Sequence, residues 1–388
     1  MTEIFLPGPL GSAGALAAMI GAGEPQVSAV IAVLDGHRLH VDPDGLRLVP
    51  LPAPGSRIHG RLVAAEGEAA ARLRFCLSAM GGRAGEFPVR LDGETRRVEV
   101  HVAEAAEAPE AVWSASSWSP ALDMALAEAL AEVLGQFGHR DAAAMPHLLP
   151  AIAMRAAART AGRLEPGAVA LRQGFARGDV AQVALRYPYA EFFGIEEHLL
   201  RHRRFDGSMS EPVGRAVFTS GDAVTVLPFD PRRNAVLLIE QFRAGPHARR
   251  DSHPWCLEAV AGRRDGLELP EETARREARE EAGLELGRLE RIAAYYPAPG
   301  VASEFITAFV GEADLEAAGG VHGLDEEHED IRGFVTPLDA ALAAVASGEA
   351  NNAPLLVSLL WLALNRDRLA AEWGPARGIA SGSVTPSA

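Results

Sequence analysis

The sequence predicts an α+β protein in three parts: a small strand-rich domain, a helical connector, and a larger domain in which strands and helices alternate. Three observations predict it. Short apolar runs broken by Gly and Pro fill residues 1–102, leucines recur every fourth residue from Leu122 to Leu134, and strand-like apolar runs return from Tyr187 onward around one well-capped helix. The chain has 388 residues, and at roughly 100–200 residues per domain it should hold two or three. The divisions expected are 1–110, 111–180 and 181–372, with a Gly/Ser/Pro-rich tail over 373–388.

In the first part, residues 27–34, 46–51 and 98–102 read as strands, and 103–111 (AEAAEAPEA) as a linker. Residues 119–137 and 145–161 read as helices. In the last part, 223–229 (AVTVLPF) and 235–242 (AVLLIEQF) flank Asp230-Pro231-Arg232-Arg233-Asn234, a hairpin signal. Residues 255–260 form a further strand. A helix is expected over 270–282, because Pro270 suits its first turn, Glu271 and Glu272 complement its dipole, and Gly283 suits its C-terminal cap. Strands at 291–296, 305–310 and 331–335 follow, then helices at 338–346 and 354–364.

Composition excludes several chemistries. All 37 cationic residues other than His are arginine, and lysine is absent. Schiff-base and pyridoxal-phosphate catalysis require a lysine amine, and P-loop NTPases and protein kinases require their own lysines. The net charge of -15 disfavours nucleic-acid binding, which gains from counterion release by cationic groups. Cys76 and Cys256 stand far apart, in no metal-ligand spacing, as expected of a reducing compartment. The N-terminus lacks a basic signal-peptide region, and no apolar run reaches the ~18 residues of a spanning helix. A cytoplasmic, soluble protein with no membrane partner is expected.

The segment richest in chemistry is residues 261–284, AGRRDGLELPEETARREAREEAGL. Glu277, Glu280 and Glu281 stand at i, i+3 and i+4, so they share one helix face. Carboxylates so close repel one another, and a hard divalent cation resolves the repulsion while accepting phosphate oxygens. The Gly262 turn lets backbone carbonyls, such as that of Ala261, approach the same ion, and Arg276 can pair with Glu268 to fix the loop against the helix. The plain alternative is a solvated Glu/Arg surface helix. Against it stands the whole spacing: Gly262, five residues to Glu268, seven to Arg276-Glu277, then Glu280-Glu281 and Gly283-Leu284.

That spacing resembles the Nudix box, with Ala278 where the family usually has a larger aliphatic residue. Flanking text resembles the ADP-ribose pyrophosphatase branch: 239–243 (IEQFR), 254–258 (PWCLE), 296–300 (YPAPG) with Ser303-Glu304, and 323–332 (GLDEEHEDIR). The likeness covers about residues 187–370 and is nearest to a long subgroup associated with tellurite resistance. It implies an α/β/α sandwich, a mixed sheet between helices. It also implies Mg²⁺ (or Mn²⁺) held by the Ala261 carbonyl, Glu277, Glu280, Glu281 and Glu329, with Glu280, Glu281 and Arg276 counted with Glu327 among the catalytic residues. Glu327 matches the general base, Arg243 and Arg215 match substrate arginines, Phe192 and Phe193 match adenine-contacting aromatics, and Glu304 matches a substrate contact. A homodimer is implied as well. Core packing for the two phenylalanines, ordinary salt bridges for the two arginines and a solvated acidic loop over 325–330 are the plain alternatives.

The resemblance implies Mg²⁺-dependent hydrolysis of the pyrophosphate of ADP-ribose to AMP and ribose 5-phosphate. Another nucleoside diphosphate derivative as substrate, or a sensor that binds without hydrolysis, are the alternatives. The opening text 3–10 (EIFLPGPL) and 52–60 (PAPGSRIHG) faintly resemble the gamma-glutamylcyclotransferase-like fold. The Tyr of that family's turn is missing, and its catalytic Glu has no counterpart near residues 73–82. A non-catalytic β-barrel-like domain is therefore expected there.

Overall fold

The computed structural model describes residues 1–21, 27–43, 46–103, 109, 111–165, 167, 170–324 and 329–374. The chain divides into two compact units: Met1–Asp222 with Asp265–Leu267 and Ala298–Glu304, and the remainder from Ala223 onward. Residues 104–108 and 110 of the linker expected at 103–111, and 375–388 of the tail expected over 373–388, lie outside the described residues.

The first unit opens with a sheet of β1 (Thr2–Pro7), β2 (Ser28–Val41), β3 (Leu48–Ala65), β4 (Arg83–Leu91) and β5 (Glu94–Val102). The order β3-β1-β5-β4-β2, with β2 pairing back onto β3, closes these five strands into a barrel-like sheet, and β6 (Ala111–Val112) adds to β2. Closure removes free strand edges. Two helices the alternating pattern did not foretell, α1 (Ala13–Ile20) and α2 (Gly67–Ala79), belong to this unit. The Ser12 hydroxyl accepts the Ala15 N–H at 3.2 Å and starts α1. Helix α2 buries Leu73, Cys76 and Leu77. Burial pushes the Cys76 thiol up to about 12, so it behaves as a small apolar core residue. Both cysteines are free thiols.

Helix α3 (Pro120–Leu134) follows the leucine pattern, α4 (Leu149–Leu164) falls on most of the helix expected at 145–161, and both belong to the first unit. Their Leu126, Leu130, Ile152 and Ala156 share one core with Phe5 and Leu34 of the barrel. The unit closes with an antiparallel three-stranded sheet, β7 (Val180–Ala190), β8 (Gly194–His202) and β9 (Val213–Thr219).

The second unit is a mixed sheet with helices on both faces. Its strands are β10 (Ala223–Asp230), β11 (Ala235–Phe242), β12 (Trp255–Glu258), β13 (Val260–Arg263), β14 (Leu289–Tyr295), β15 (Ile306–Glu312), β16 (Gly320–His322) and β17 (Ile331–Pro337). The order is β14-β15-β10-β11-β17-β16, with β12 on β11 and β13 on β10. Strands β10 and β15 run parallel and the other pairs antiparallel. Successive strand residues face opposite sides, and the two cores follow that alternation. Val224, Val226, Leu237 and Ile239 pack with Ala274, Ala278 and Ala282 of α6 (Pro270–Ala282). Leu227, Phe229, Val236 and Leu238 pack on the other face with α7 (Leu338–Ser347) and α8 (Ala353–Trp373). The short α5 (Ala244–Arg249) follows β11.

Two expectations are corrected here. The strand expected over 255–260 is two strands, β12 and β13, one pairing with β11 and the other with β10. The last helix runs to Trp373, not to residue 364. Its charged stretch Arg366-Asp367-Arg368 lies outward, with Arg366 on Asp339 at 2.8 Å and Arg368 on Glu290 at 2.6 Å. Leu369 and Trp373 continue the buried stripe of Leu355, Leu359 and Leu362. No helix among the described residues is long and apolar enough to cross a membrane.

Candidate active site

Helix α6 has the boundaries its caps dictate. Pro270 occupies its first turn, the Glu272 carboxylate accepts the Leu269 N–H at 3.1 Å, and Gly283 takes the left-handed φ of 62° at its end. The Gly283 N–H donates to the Arg279 carbonyl at 3.0 Å, the 5→1 bond of a left-handed cap, and the Leu284 N–H donates to the Ala278 carbonyl at 2.9 Å. Ala278 is fully buried in the core between α6 and the sheet, so a small side chain is accommodated at the one position that departs from the family pattern.

The preceding loop is anchored by charge. Arg276 donates to Glu268 Oε2 at 3.2 Å, to the Arg263 carbonyl at 2.9 Å, to Glu277 Oε1 at 2.7 Å and to Glu280 Oε2 at 3.0 Å. Thr273 donates to Glu268 Oε2 at 2.7 Å, and Arg264 donates to the Glu268 carbonyl at 2.8 Å. Glu268 thus anchors the loop to α6 through Arg276, as the spacing predicts.

Gly262 is required for a concrete reason. A Cβ at this position would lie 1.8 Å from Glu277 Oε1 and 1.9 Å from its Cδ. Any side chain would occupy the volume of that carboxylate. One residue earlier, the Ala261 N–H donates to Glu281 Oε2 at 2.9 Å. Strand β13 and helix α6 therefore hold the Glu277 and Glu281 carboxylates beside the 261–262 backbone.

This face is electrostatically unbalanced. Burial, opposed by Arg276 but reinforced by Glu280 and Glu329, pushes Glu277 up to about 7. Burial, opposed by the Ala261 N–H but reinforced by Glu277 and Glu329, pushes Glu281 up to about 8. Among the described residues, no three His, Cys, Asp or Glu side chains already converge as a metal cage. The reason is local: Glu277 is turned to Arg276 and Glu281 to the Ala261 N–H. The donor set nevertheless fits a hard divalent cation, since it consists of buried, mutually repelling carboxylate oxygens. Glu329 adds to the same field, and a Cβ on Gly323 would meet Glu329 Cβ at 2.7 Å. Glu327 lies outside the described residues.

Arg243, at the end of β11, is held by Glu258 of β12: its Nη2 donates at 2.6 Å and its Nε at 3.0 Å. Burial works against the Arg243 charge, but the bonds to Glu258 outweigh it and raise its pKa. Gln241 donates to the same carboxylate at 3.3 Å. Glu258 is a positioning residue that the sequence reading did not single out. The signal for it was opposite charge on facing strands, visible only once β11 and β12 are known to pair.

Phe192, Phe193, Arg215 and Glu304 belong to the first unit. Phe193 packs on Phe192 and on Phe218 of β9, with ring centroids 4.8 Å apart in both pairs. The Phe218 N–H donates to the Val301 carbonyl at 2.8 Å, and the Ser303 N–H to the Phe218 carbonyl at 3.0 Å. Phe193 and the segment ending in Glu304 are thus brought to the same strand. Arg215 is exposed on β9, its Nη1 donating to the Gly214 carbonyl at 2.8 Å.

The family profile described as "NUDIX domain" matches residues 219–356. The chain is 41% identical over 199 residues to the ADP-ribose pyrophosphatase of Escherichia coli (strain K12), covering 95% of that protein and 51% of this chain. It is 35% identical over 203 residues to the ADP-ribose pyrophosphatase of Haemophilus influenzae, covering 94% of that protein and 52% of this chain. It is 32% identical over 149 residues to the GDP-mannose pyrophosphatase of Citrobacter koseri, covering 76% of that protein and 38% of this chain. The complete motif, its folding onto one carboxylate face and the 94–95% cover of the two ADP-ribose pyrophosphatases agree: the chain belongs to the Nudix family.

Proposed function

We propose that this protein is a Nudix pyrophosphatase that hydrolyses ADP-ribose to AMP and ribose 5-phosphate, with Mg²⁺ (or Mn²⁺) at the α6 face. The observation that carries the reading is the Glu277/Glu281 pair, buried on one helix face beside the 261–262 backbone and left with more negative charge than its surroundings neutralise. The identity to relatives named ADP-ribose pyrophosphatases supports the substrate.

Glu277, Glu280 and Glu281, with the Ala261 carbonyl and Glu329, are the residues to hold the cation. When bound, it would neutralise pyrophosphate charge and polarise a phosphoryl oxygen. The chain's own groups do the rest. Arg276 keeps the loop and helix in register, so the carboxylates keep their spacing. Arg243, preset by Glu258, offers planar charge-assisted donors to phosphate oxygens, and Arg215 is assigned the same task. Phe192 and Phe193 stack the adenine, and Glu304 orients the substrate. Glu327 accepts the proton of the attacking water. The homodimer, the long-subgroup assignment and a non-catalytic role for the N-terminal barrel belong to the same proposal.

Relatives named GDP-mannose pyrophosphatases favour a second substrate class, the NDP-sugars. A panel assay separates the readings: the full chain with Mg²⁺ is given ADP-ribose, NDP-sugars and dinucleotides, and products are resolved chromatographically. AMP from ADP-ribose at the highest kcat/KM is expected. Faster turnover of an NDP-sugar would transfer the assignment to that class, and binding of ADP-ribose without AMP would make the protein a sensor.

A further inference from the structure

The turn from β7 to β8 is held by a buried arginine that the proposed mechanism does not use. Arg155 of α4 is 2% exposed, and its partner Glu132 of α3 is 1% exposed. Arg155 donates from Nε and Nη2 to Glu132 Oε1 at 2.9 and 2.6 Å. Its Nη1 reaches out to the turn and donates to two consecutive carbonyls, Glu191 at 3.2 Å and Phe192 at 3.1 Å. At the start of β8 a Cβ on Gly194 would clash with Thr219 Oγ1 at 2.3 Å, while Arg155 Cδ and Nε lie at ordinary contact distance. Arg140 adds a second hold, donating to Glu191 Oε1 at 2.6 Å.

The rest of the buried charge is balanced by a different residue. Arg159 lies 2.8 Å from Glu132 Oε2 and also pairs with Glu196 of β8. Glu132 is shared by Arg155 and Arg159, so charge balance is not what sets Arg155 apart. What Arg155 supplies beyond charge balance is a hold on the Glu191 and Phe192 carbonyls, and Phe192 is 60% exposed. An exposed aromatic on a clamped turn is a preorganised stacking surface.

We propose that Arg155 is a positioning residue for nucleotide binding: by holding the Glu191 and Phe192 carbonyls it presents Phe192 to the base of the substrate. This rests on the assignment of Phe192 as an adenine contact. It gives the N-terminal half of the chain, which lies outside the C-terminal half matched by the curated relatives, a role in substrate affinity.

The test uses the full-length protein with Mg²⁺ and ADP-ribose, and the variants Arg155→Met, Arg155→Lys, Arg159→Met and Phe192→Ala. Steady-state kinetics are read beside hydrogen exchange of the 190–194 amides. Loss of one base stack corresponds to about a tenfold rise in KM. That rise, with kcat unchanged, is expected for Arg155→Met and Phe192→Ala, and faster exchange of the turn for Arg155→Met only. Arg155→Lys keeps a charge for Glu132 but lacks the planar fork, so it should fold and show the same KM rise. Arg159→Met should lower the melting temperature and leave KM alone. Wild-type KM and exchange in both Arg155 variants, or an equal KM rise in Arg159→Met, would overturn the positioning role while Phe192→Ala still tests the base contact. An unchanged KM in Phe192→Ala would remove the base contact, and the inference with it.

Discussion

Two buried carboxylate regions of the second unit have opposite fates. Asp230, in the hairpin between β10 and β11, is fully buried; burial would raise its pKa, yet it is lowered. The N–H groups of Leu315, Arg232 and Arg233 and the Arg233 guanidinium satisfy its oxygens. Burial pushes Glu277 and Glu281 up, and Arg276 and one backbone N–H do not offset it against several neighbouring carboxylates. Burial is common to both, so partner balance decides the sign. A satisfied carboxylate builds a turn, whereas an unsatisfied face is suited to a cation. The buried network of Glu132, Arg155, Arg159 and Glu196, with its two arginines against two glutamates, belongs with Asp230 on the structural side.

The largest expected effect that sharpens this contrast is on pH dependence without metal. Glu277 and Glu281 bind protons more tightly in the folded chain than at their ordinary value of 4.5. The folded state therefore holds extra protons from about pH 4.5 to 8, and stability falls as pH rises through that window. Asp230 acts in reverse: its contribution is present above its ordinary 3.8 and is lost as pH falls through its lower folded value. Urea melts in chelator should show both limbs. Glu281→Gln should flatten the alkaline one and Asp230→Asn the acid one. An alkaline limb unchanged by Glu281→Gln would break the comparison.

Next in size, Arg155→Met leaves Glu132 with one partner fewer and should cost about 3–5 kcal/mol in chemical denaturation. A cost near zero would show that this network is not held by charge balance. Gly262→Ala must displace the Glu277 carboxylate and should lower kcat on the order of 10²-fold, with a smaller effect on the melting temperature. Glu258→Gln, which weakens the hold on Arg243, should raise KM by roughly tenfold with kcat nearly kept. Loss of kcat instead would place Arg243 at the reacting phosphorus.

Much of this was legible in the sequence because it is local. The helix over 270–282 announces itself through Pro270, Glu271, Glu272 and Gly283, and the seven fixed motif positions lie within 22 residues. The barrel was legible only as strands. Helices α1 and α2 are Ala-rich segments among Gly-punctuated strands, and their apolar period is weak over so few turns. Long-range pairs were not legible: Arg155 meets Glu132 across 23 residues and the 191–192 carbonyls across 36 and 37. Glu258 became visible only through strand pairing. The outward charges at 366–368 interrupt the apolar pattern of α8 and mask its continuation to Trp373.

The central claim is that the α6 carboxylate face performs the hydrolysis through a bound divalent cation. The most direct test is the turnover of ADP-ribose by Glu281→Gln beside wild type, each titrated to saturating Mg²⁺, with folding verified by circular dichroism. The account predicts AMP and ribose 5-phosphate from wild type and a fall in kcat on the order of 10²–10³-fold in the variant, which more Mg²⁺ does not restore. A folded Glu281→Gln protein with wild-type turnover would contradict it.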